Sequence, residues 1–370
     1  MSVGKRKLTS RFVAIAALVL VIVLGIAEYR FSFGETSNYI RFYSMPPSFL
    51  NKADGITLNI HGKLNEFVSI EHYRINNRQR IQSRTGSPRL NENEFVIEFL
   101  AEDLNAGENI LNVTIVNLLG SKRQVELVFN YDSTPPKLPV LINWTNTSLE
   151  SQDGQWEKVK KGGQVLVRPV PGTEGYDRIL LASGAFKGSR RVESIVTFVK
   201  GAKSNKLFGF GIIPLWGGHA DSTRNSPRRG WKYGLGWYYS KEKGIGVEFS
   251  DKVDDEKHIT LSKYTKFKPI PGKRYKIVID SKQILSARGE HLTYFQTMTW
   301  TRLDSNQPPI SVELYDKRNE PFGDFQYSVA LLAHRAQVEF NSVTISVLEP
   351  IIVGAEKASS SHNILVKEVN

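Results

Sequence analysis

The sequence predicts an all-β protein set behind a single apolar N-terminal helix. Three observations predict it. An unbroken apolar run, Phe12 to Ala27, follows the basic residues Lys5, Arg6, Lys7 and Arg11. From about Asn38 onward, short runs alternate apolar and polar residues with period two. Turn residues separate these runs, and no helical pattern of useful length lies between them.

Basic residues ahead of an apolar helix mark an export signal or a membrane anchor, and they place the rest of the chain on the far side of a membrane. The run is slightly short of the roughly 20 residues of a spanning helix. Glu28 to Phe33 extend it into the interface, with Tyr29, Phe31 and Phe33 expected at headgroup depth. The run is long for a cleaved signal, so an uncleaved anchor is the expectation. Small residues at Gly25-Ile26-Ala27 leave cleavage after Ala27 as the alternative.

The 370 residues contain no cysteine. An exported chain without disulfides points to a bacterial envelope, anchored in the inner membrane with its folded part in the periplasm or at the cell surface. The sequons at Asn112, Asn143 and Asn146 then carry no meaning. The length suggests two domains beyond the helix. The expected organisation is a cytoplasmic tip and membrane helix at 1–34, a first β-sandwich at 38–135, a second, larger one at 138–350 and a tail at 351–370. A net charge of +12 favours acidic partners. Export argues against nucleic acid among them.

In the first sandwich, Ile56, Leu58 and Ile60 alternate with polar residues, as do Leu111, Val113 and Ile115, and Val125, Leu127 and Phe129. Strands are expected at 40–44, 55–61, 67–75, 94–100, 109–117 and 121–131. Ala106 to Asn109, the strands to Asn117 and Tyr131, and Asp132-Ser133-Thr134-Pro135-Pro136 resemble the closing half of a bacterial immunoglobulin-like domain. The paired prolines form its exit linker. The resemblance implies a spacer without catalytic residues.

The second sandwich shows about a dozen further strands between 164 and 348, which fits a double-sheet jelly roll. Val329 to His334, then Arg335, then Ala336 to Ile345 resemble the last two strands of concanavalin A-like lectin and glucanase domains. That resemblance implies a jelly roll and a broad tendency to bind sugars, not an enzyme.

Residues 214–243 carry the strongest functional signal. Three of the six tryptophans, Trp216, Trp231 and Trp237, fall within 22 residues. Between Trp216 and Lys243 there are six Lys or Arg against two acids. Tyr233 to Tyr239 reads as a strand, with Tyr233, Leu235, Trp237 and Tyr239 on one face and Gly234, Gly236 and Tyr238 on the other. Glycines on a strand let a flat ligand approach the backbone. Aromatic rings stack on sugar faces, and arginine grips a carboxylate or sulfate with paired hydrogen bonds. The candidate carbohydrate-binding residues are therefore Trp216, His219, Asp221, Arg224, Arg228, Arg229, Trp231, Tyr233, Trp237 and Tyr239. They are expected on the concave face of the jelly roll, with an acidic polysaccharide or envelope glycan as ligand.

Two other classes stay open. A polysaccharide lyase or glycoside hydrolase would need acid and base residues. The Glu-x-Asp-x-x-Glu spacing of concanavalin-like hydrolases is missing, and Glu248, Asp251, Glu313 and Asp316 read as surface charges. The Gln-x-His motifs of alginate lyases are missing too, with Tyr294-Phe295-Gln296 a faint echo. A structural or assembly protein is the third class. No metal-ligating histidine spacing exists. No cofactor is expected beyond a loop calcium at Asp251, Asp254 and Asp255, for which a solvated acidic turn is the blander account.

Overall fold

The computed structural model describes residues 3–43, 45–52, 56–76, 78, 92–173, 175, 177–201, 208–219, 235–239, 244–249, 261–264, 268–315 and 326–353. Among the described residues it is β-strand behind one α-helix, with two single-turn 3-10 helices at Thr36–Asn38 and Ala101–Asp103. Helix α1 runs Val3–Phe33, so the helix continues past the apolar run and through Glu28 without a break. Within it, Ile15–Phe33 is long and apolar enough to cross a membrane.

The N-terminal half is a small two-sheet sandwich. Its strands are β1 (Ile40–Phe42), β2 (Ser48–Phe49), β3 (Thr57–Leu64), β4 (Val68–Ile75), β5 (Glu94–Leu100), β6 (Gly107–Asn117) and β7 (Lys122–Tyr131). A sheet ordered β1-β3-β5 faces one ordered β2-β7-β6-β4. Alternation drives the pairing: in β6, Ile115, Val113 and Leu111 are fully buried while the residues between them are not. Tyr73, Phe95, Phe99 and Phe129 fill the space between the sheets. Phe31 joins this core at 2 % exposure. The expectation that Phe31 lies at headgroup depth is therefore corrected: the last turn of α1 packs Phe31 into the sandwich, while Tyr29 and Phe33 remain exposed.

The C-terminal half is a larger sandwich. Its strands are β8 (Val140–Ile142), β9 (Glu150–Asp153), β10 (Trp156–Lys161), β11 (Gln164–Pro169), β12 (Arg178–Leu181), β13 (Arg190–Gly201), β14 (Gly209–Trp216), β15 (Leu235–Tyr239), β16 (Gly244–Phe249), β17 (Leu261–Tyr264), β18 (Arg274–Ser286), β19 (His291–Arg302), β20 (Ile310–Tyr315), β21 (Ser328–His334), β22 (Ala336–Val347) and β23 (Ile351–Val353). One sheet follows β10-β11-β22-β13-β18-β19-β20, with β8 and β23 added to β22 and β18. The other follows β17-β16-β15-β14-β21-β12-β9. The chain crosses repeatedly between the sheets, which is the jelly-roll arrangement the sequence predicts. The last two long strands lie in opposite sheets, and Arg335 turns between them with φ 49°.

The shared core contains Trp144, Phe198, Phe210, Tyr275, Trp300 and Phe340. Arg190 stands at its edge, fully buried. Its guanidinium donates to the carbonyls of Phe186, Gly188, Pro214 and Tyr327 and lies 3.9 Å from the Phe186 ring. Burial pushes its pKa down to about 10. It acts as a staple between strand ends, because backbone carbonyls already accept its N–H groups.

The burial patterns differ between strands. Strands β13 and β19 alternate, as half-buried strands do. Strands β12, β14 and β21 are buried at every position. A strand buried throughout is covered on both faces. Short or charged strands escaped the sequence reading: β2, β8, β9 and β10, the last reading Trp-Glu-Lys-Val-Lys-Lys. Strand β23 lies where a tail was expected and pairs in parallel with β18.

Candidate functional site

The face of the seven-stranded sheet that points away from the jelly-roll core is the candidate surface. Phe210, Ile212, Leu331 and Ala333 point into the core. Their alternate neighbours, Gly209, Gly211, Ile213 and Leu332, therefore share the opposite, outer face. Cross-strand register extends this face outward. One row runs Ile179, Leu332, Gly211, Trp237, Gly246, and the next runs His334, Gly209, Tyr239, Gly244. In both rows an aromatic position sits between two glycines.

The inner half of this face is closed by the N-terminal sandwich. Ile179, Leu181, Ile213, Trp216, Ala330 and Leu332 form a separate apolar cluster there, and Leu50 packs against it. The chain from β2 into β3 supplies the polar ties. Asn51 Nδ2 donates to Ala185 O at 2.7 Å, and Asn59 Nδ2 donates to Gln152 O at 2.7 Å. Lys52 forms an ion pair with Glu150, with 0 % and 2 % of the two side chains exposed. Gly218, at φ +87°, lies so close that an added Cβ would be 3.3 Å from the Ile56 Cα. The first sandwich is thus a docked partner of the second, where a spacer was expected.

Charged groups gather along the seam. His219 Nε2 lies 2.9 Å from Asp153 Oδ2, and His334 Nδ1 lies 2.6 Å from Asp177 Oδ1. Arg178 stands near both acids and near Glu94 of the first sandwich. Burial lowers its pKa, while Glu94, Asp153 and Asp177 oppose that shift. The Tyr43 hydroxyl donates to Glu94 at 3.0 Å, and burial followed by that carboxylate pushes its pKa well above the ordinary tyrosine value. Arg178 is held by Thr173 O and Asp177 O, both at 2.7 Å, and crosses directly over Gly154. A Cβ on Gly154 would fall 1.8 Å from Arg178 Cδ, at a backbone φ of +71°. Gly154→Ala is expected to lower stability by about 1–3 kcal/mol through backbone strain and displacement of Arg178. A thermal melt checks it, and an unchanged midpoint would contradict the tight crossing.

The structure brings two of the sequence-derived site residues together, Trp216 and His219, with ring centroids 5.2 Å apart and planes at 88°. It brings them together in the interior. Trp216 is 0 % exposed and His219 2 % exposed. Their expected place as ligand contacts on the concave face is corrected: both lie beneath the docked sandwich. Asp221, Arg224, Arg228, Arg229, Trp231 and Tyr233 lie outside the described residues, as do Asp251, Asp254 and Asp255. Trp237 and Tyr239 are placed by the backbone register of β15. Among the described residues no cluster of three or more His, Asp or Glu side chains is arranged to hold a metal ion.

A cleft of about 170 Å³ opens at the seam, lined in part by Arg41, Tyr43, His61, Gln155 and Trp156. It is smaller than the roughly 300–1,000 Å³ of common ligand pockets. The sequence reading passed over Lys52, Glu150, Asp153, Asp177, Arg178 and His334. One signal could have found His334: it ends Val329-Ala330-Leu331-Leu332-Ala333, a run without a polar residue. Strands covered on both faces read this way, and a titratable group at their end needs a partner.

No protein-family model matches the chain, and no curated protein matches it. Solved structures are similar to it at low identity. A seed lectin isoform of Lotus tetragonolobus is 12% identical, over 58% of this chain and 100% of the lectin, with a TM-score of 0.39. Alginate lyase vAL-1 from Chlorella virus is 14% identical, over 53% of this chain and 90% of the lyase, with a TM-score of 0.35. Carbohydrate-binding module CBM66 from Bacillus subtilis is 12% identical, over 54% of this chain and 94% of the module, with a TM-score of 0.32. Likeness at this level carries no argument about activity.

Proposed function

We propose that this chain is a membrane-tethered carbohydrate-binding protein of the bacterial envelope, with α1 as an uncleaved anchor and the folded part outside the cytoplasm. The ligand is an acidic glycan lying on the outer face of the seven-stranded sheet, over β15 and β16. Trp216 and His219 lie on the part of that face which the docked sandwich covers and do not touch the ligand. The observation that carries the reading is the pair of glycine-flanked rows through Trp237 and Tyr239. A flat sugar ring needs an aromatic neighbour and bare backbone on either side of it. The segment bearing Arg224, Arg228 and Arg229 follows Gly218 in sequence and supplies positive charge for carboxylates or sulfates. The N-terminal sandwich is read as immunoglobulin-like. Its parallel β2–β7 pair beside β6 and β4, opposite β1-β3-β5, supports that reading.

Binding of the full-length protein to an array of acidic and neutral polysaccharides tests the proposal. Acidic glycans should be retained at low ionic strength and released as salt rises. Trp237→Ala should cost roughly 2 kcal/mol, an affinity loss of about thirtyfold. Arg228→Ala should flatten the salt dependence. Retention of no glycan at low salt would overturn the reading in favour of a protein partner. New ultraviolet absorbance from unsaturated uronates, or released reducing ends, would move it to a lyase or a hydrolase.

A further inference from the structure

We propose that the sandwich end beside α1 is a second membrane-contacting surface, in which Phe67, Leu118 and Leu119 sit in the lipid interface and fix the orientation of the folded part. The proposal rests on reading α1 as an anchor. The three residues are 55 %, 76 % and 51 % exposed. Leu118 and Leu119 form the tip of the β6–β7 hairpin. Gly120 N donates to Asn117 O at 3.0 Å, and Asn117 Oδ1 accepts from Leu119 N and Ser121 N. Hairpin tips in water are built from Gly, Asn, Asp and Ser. Two adjacent leucines there leave apolar area that nothing among the described residues buries. Phe67 belongs to the same end, because Val68 pairs with Asn117.

The geometry places this end at the membrane surface. Asn117 Nδ2 donates to Glu28 Oε2 at 2.9 Å. Glu28 is the first charged residue after the apolar run, so it marks where the helix leaves hydrocarbon. Arg123 then locks helix and sheet together, with Nη1 donating to Phe31 O at 2.9 Å and Gly34 O at 2.7 Å, and Nη2 to Thr36 Oγ1 at 2.9 Å. No free linker separates the helix from the hairpin. The hairpin tip therefore stands at the depth of Glu28, and Tyr29 and Phe33, which follow Glu28 in the helix, are themselves exposed. Phe12 to Ala27 at 1.5 Å per residue spans about 24 Å, short of the roughly 30 Å of bilayer hydrocarbon. A short span draws the attached surface toward the lipid. Aromatic and aliphatic side chains at this level belong to the interface.

The chain has no cysteine, so single cysteines can carry an environment-sensitive fluorophore in the full-length protein. Leu118→Cys, Phe67→Cys, Val128→Cys and Leu20→Cys are each labelled and reconstituted into phosphatidylethanolamine–phosphatidylglycerol vesicles with a nitroxide quencher on the lipid. Leu20 reports the anchor. Val128, 52 % exposed and paired with Ile110, lies toward the far end of the same hairpin. The proposal expects blue-shifted emission and about twofold quenching at Leu118 and Phe67, none at Val128, and strong quenching at Leu20. Quenching at Leu20 without any at Leu118 and Phe67 would overturn the membrane seat and leave the anchor standing. No quenching at Leu20 would overturn the anchor, and the seat with it. Leu118→Ser with Leu119→Ser, read at the Phe67→Cys label, should reduce the blue shift, and an unchanged shift would count against insertion of the tip.

Discussion

Lys52→Met is expected to shift the denaturation midpoint of the full-length protein by the equivalent of about 3–5 kcal/mol, the cost of stranding a buried carboxylate. Lys52 and Glu150 face each other across the seam with almost no exposure. Glu150 Oε2 also accepts from Leu50 N at 2.7 Å, and Lys52 N donates to the Tyr131 hydroxyl at 3.0 Å. Removing the ammonium leaves Glu150 charged in a site that excludes water. The double replacement Lys52→Met with Glu150→Leu should recover most of the loss, since two apolar side chains need no partner. The pair has an alkaline signature as well. Burial holds the Lys52 pKa below 10.5, and Glu150 opposes that shift. Over the window just below 10.5 the unfolded chain therefore binds the proton more tightly, so the stability contributed by this group rises with pH there. Lys52→Met should abolish that rise. Chemical denaturation followed by tryptophan fluorescence at neutral and alkaline pH measures both effects. A single variant within about 1 kcal/mol of the parent would show that the seam does not form.

Trp216→Ala is expected to cost about 3–5 kcal/mol of stability, as large-to-small changes in closed cores do. Ile179, Leu181, Ile213, Ala330 and Leu332 surround this indole, and Leu50 covers it from the first sandwich. Alanine leaves a cavity that strands of two sheets cannot collapse. Trp216→Phe should cost far less, because the indole N–H has no hydrogen-bond partner among the described residues and only volume is lost. Trp237→Ala should behave in the opposite way, losing glycan and keeping stability. Thermal melts beside binding isotherms separate the two tryptophans. A Trp216→Ala variant that folds normally and binds no glycan would return Trp216 to the ligand surface.

Much of the architecture is legible in the residues. The apolar run after four basic residues announces α1, and period-two alternation announces β6, β13 and β19. The mixture of strands and turns excludes a helical fold. The candidate site was legible in part. Tyr233 to Tyr239 reads as a strand, and its backbone forms one at Leu235–Tyr239. Trp216 carried the same aromatic signal as Trp237, yet the docked sandwich covers it. Residue type reports that a ring will leave water, and it does not say whether a ligand or another part of the chain takes water's place.

By itself the sequence determined the helix, the alternating strands and the two-sheet character of both halves. Those are local properties, set by which residues within one strand or turn prefer the same side. Tertiary structure alone decided that the first sandwich docks on the second, that Leu50 and Lys52 meet Glu150 across about 100 residues, and that Phe31 of α1 packs into a core. Such contacts join segments far apart in the chain. Their energy comes from complementary surfaces that exist only once both sheets have formed.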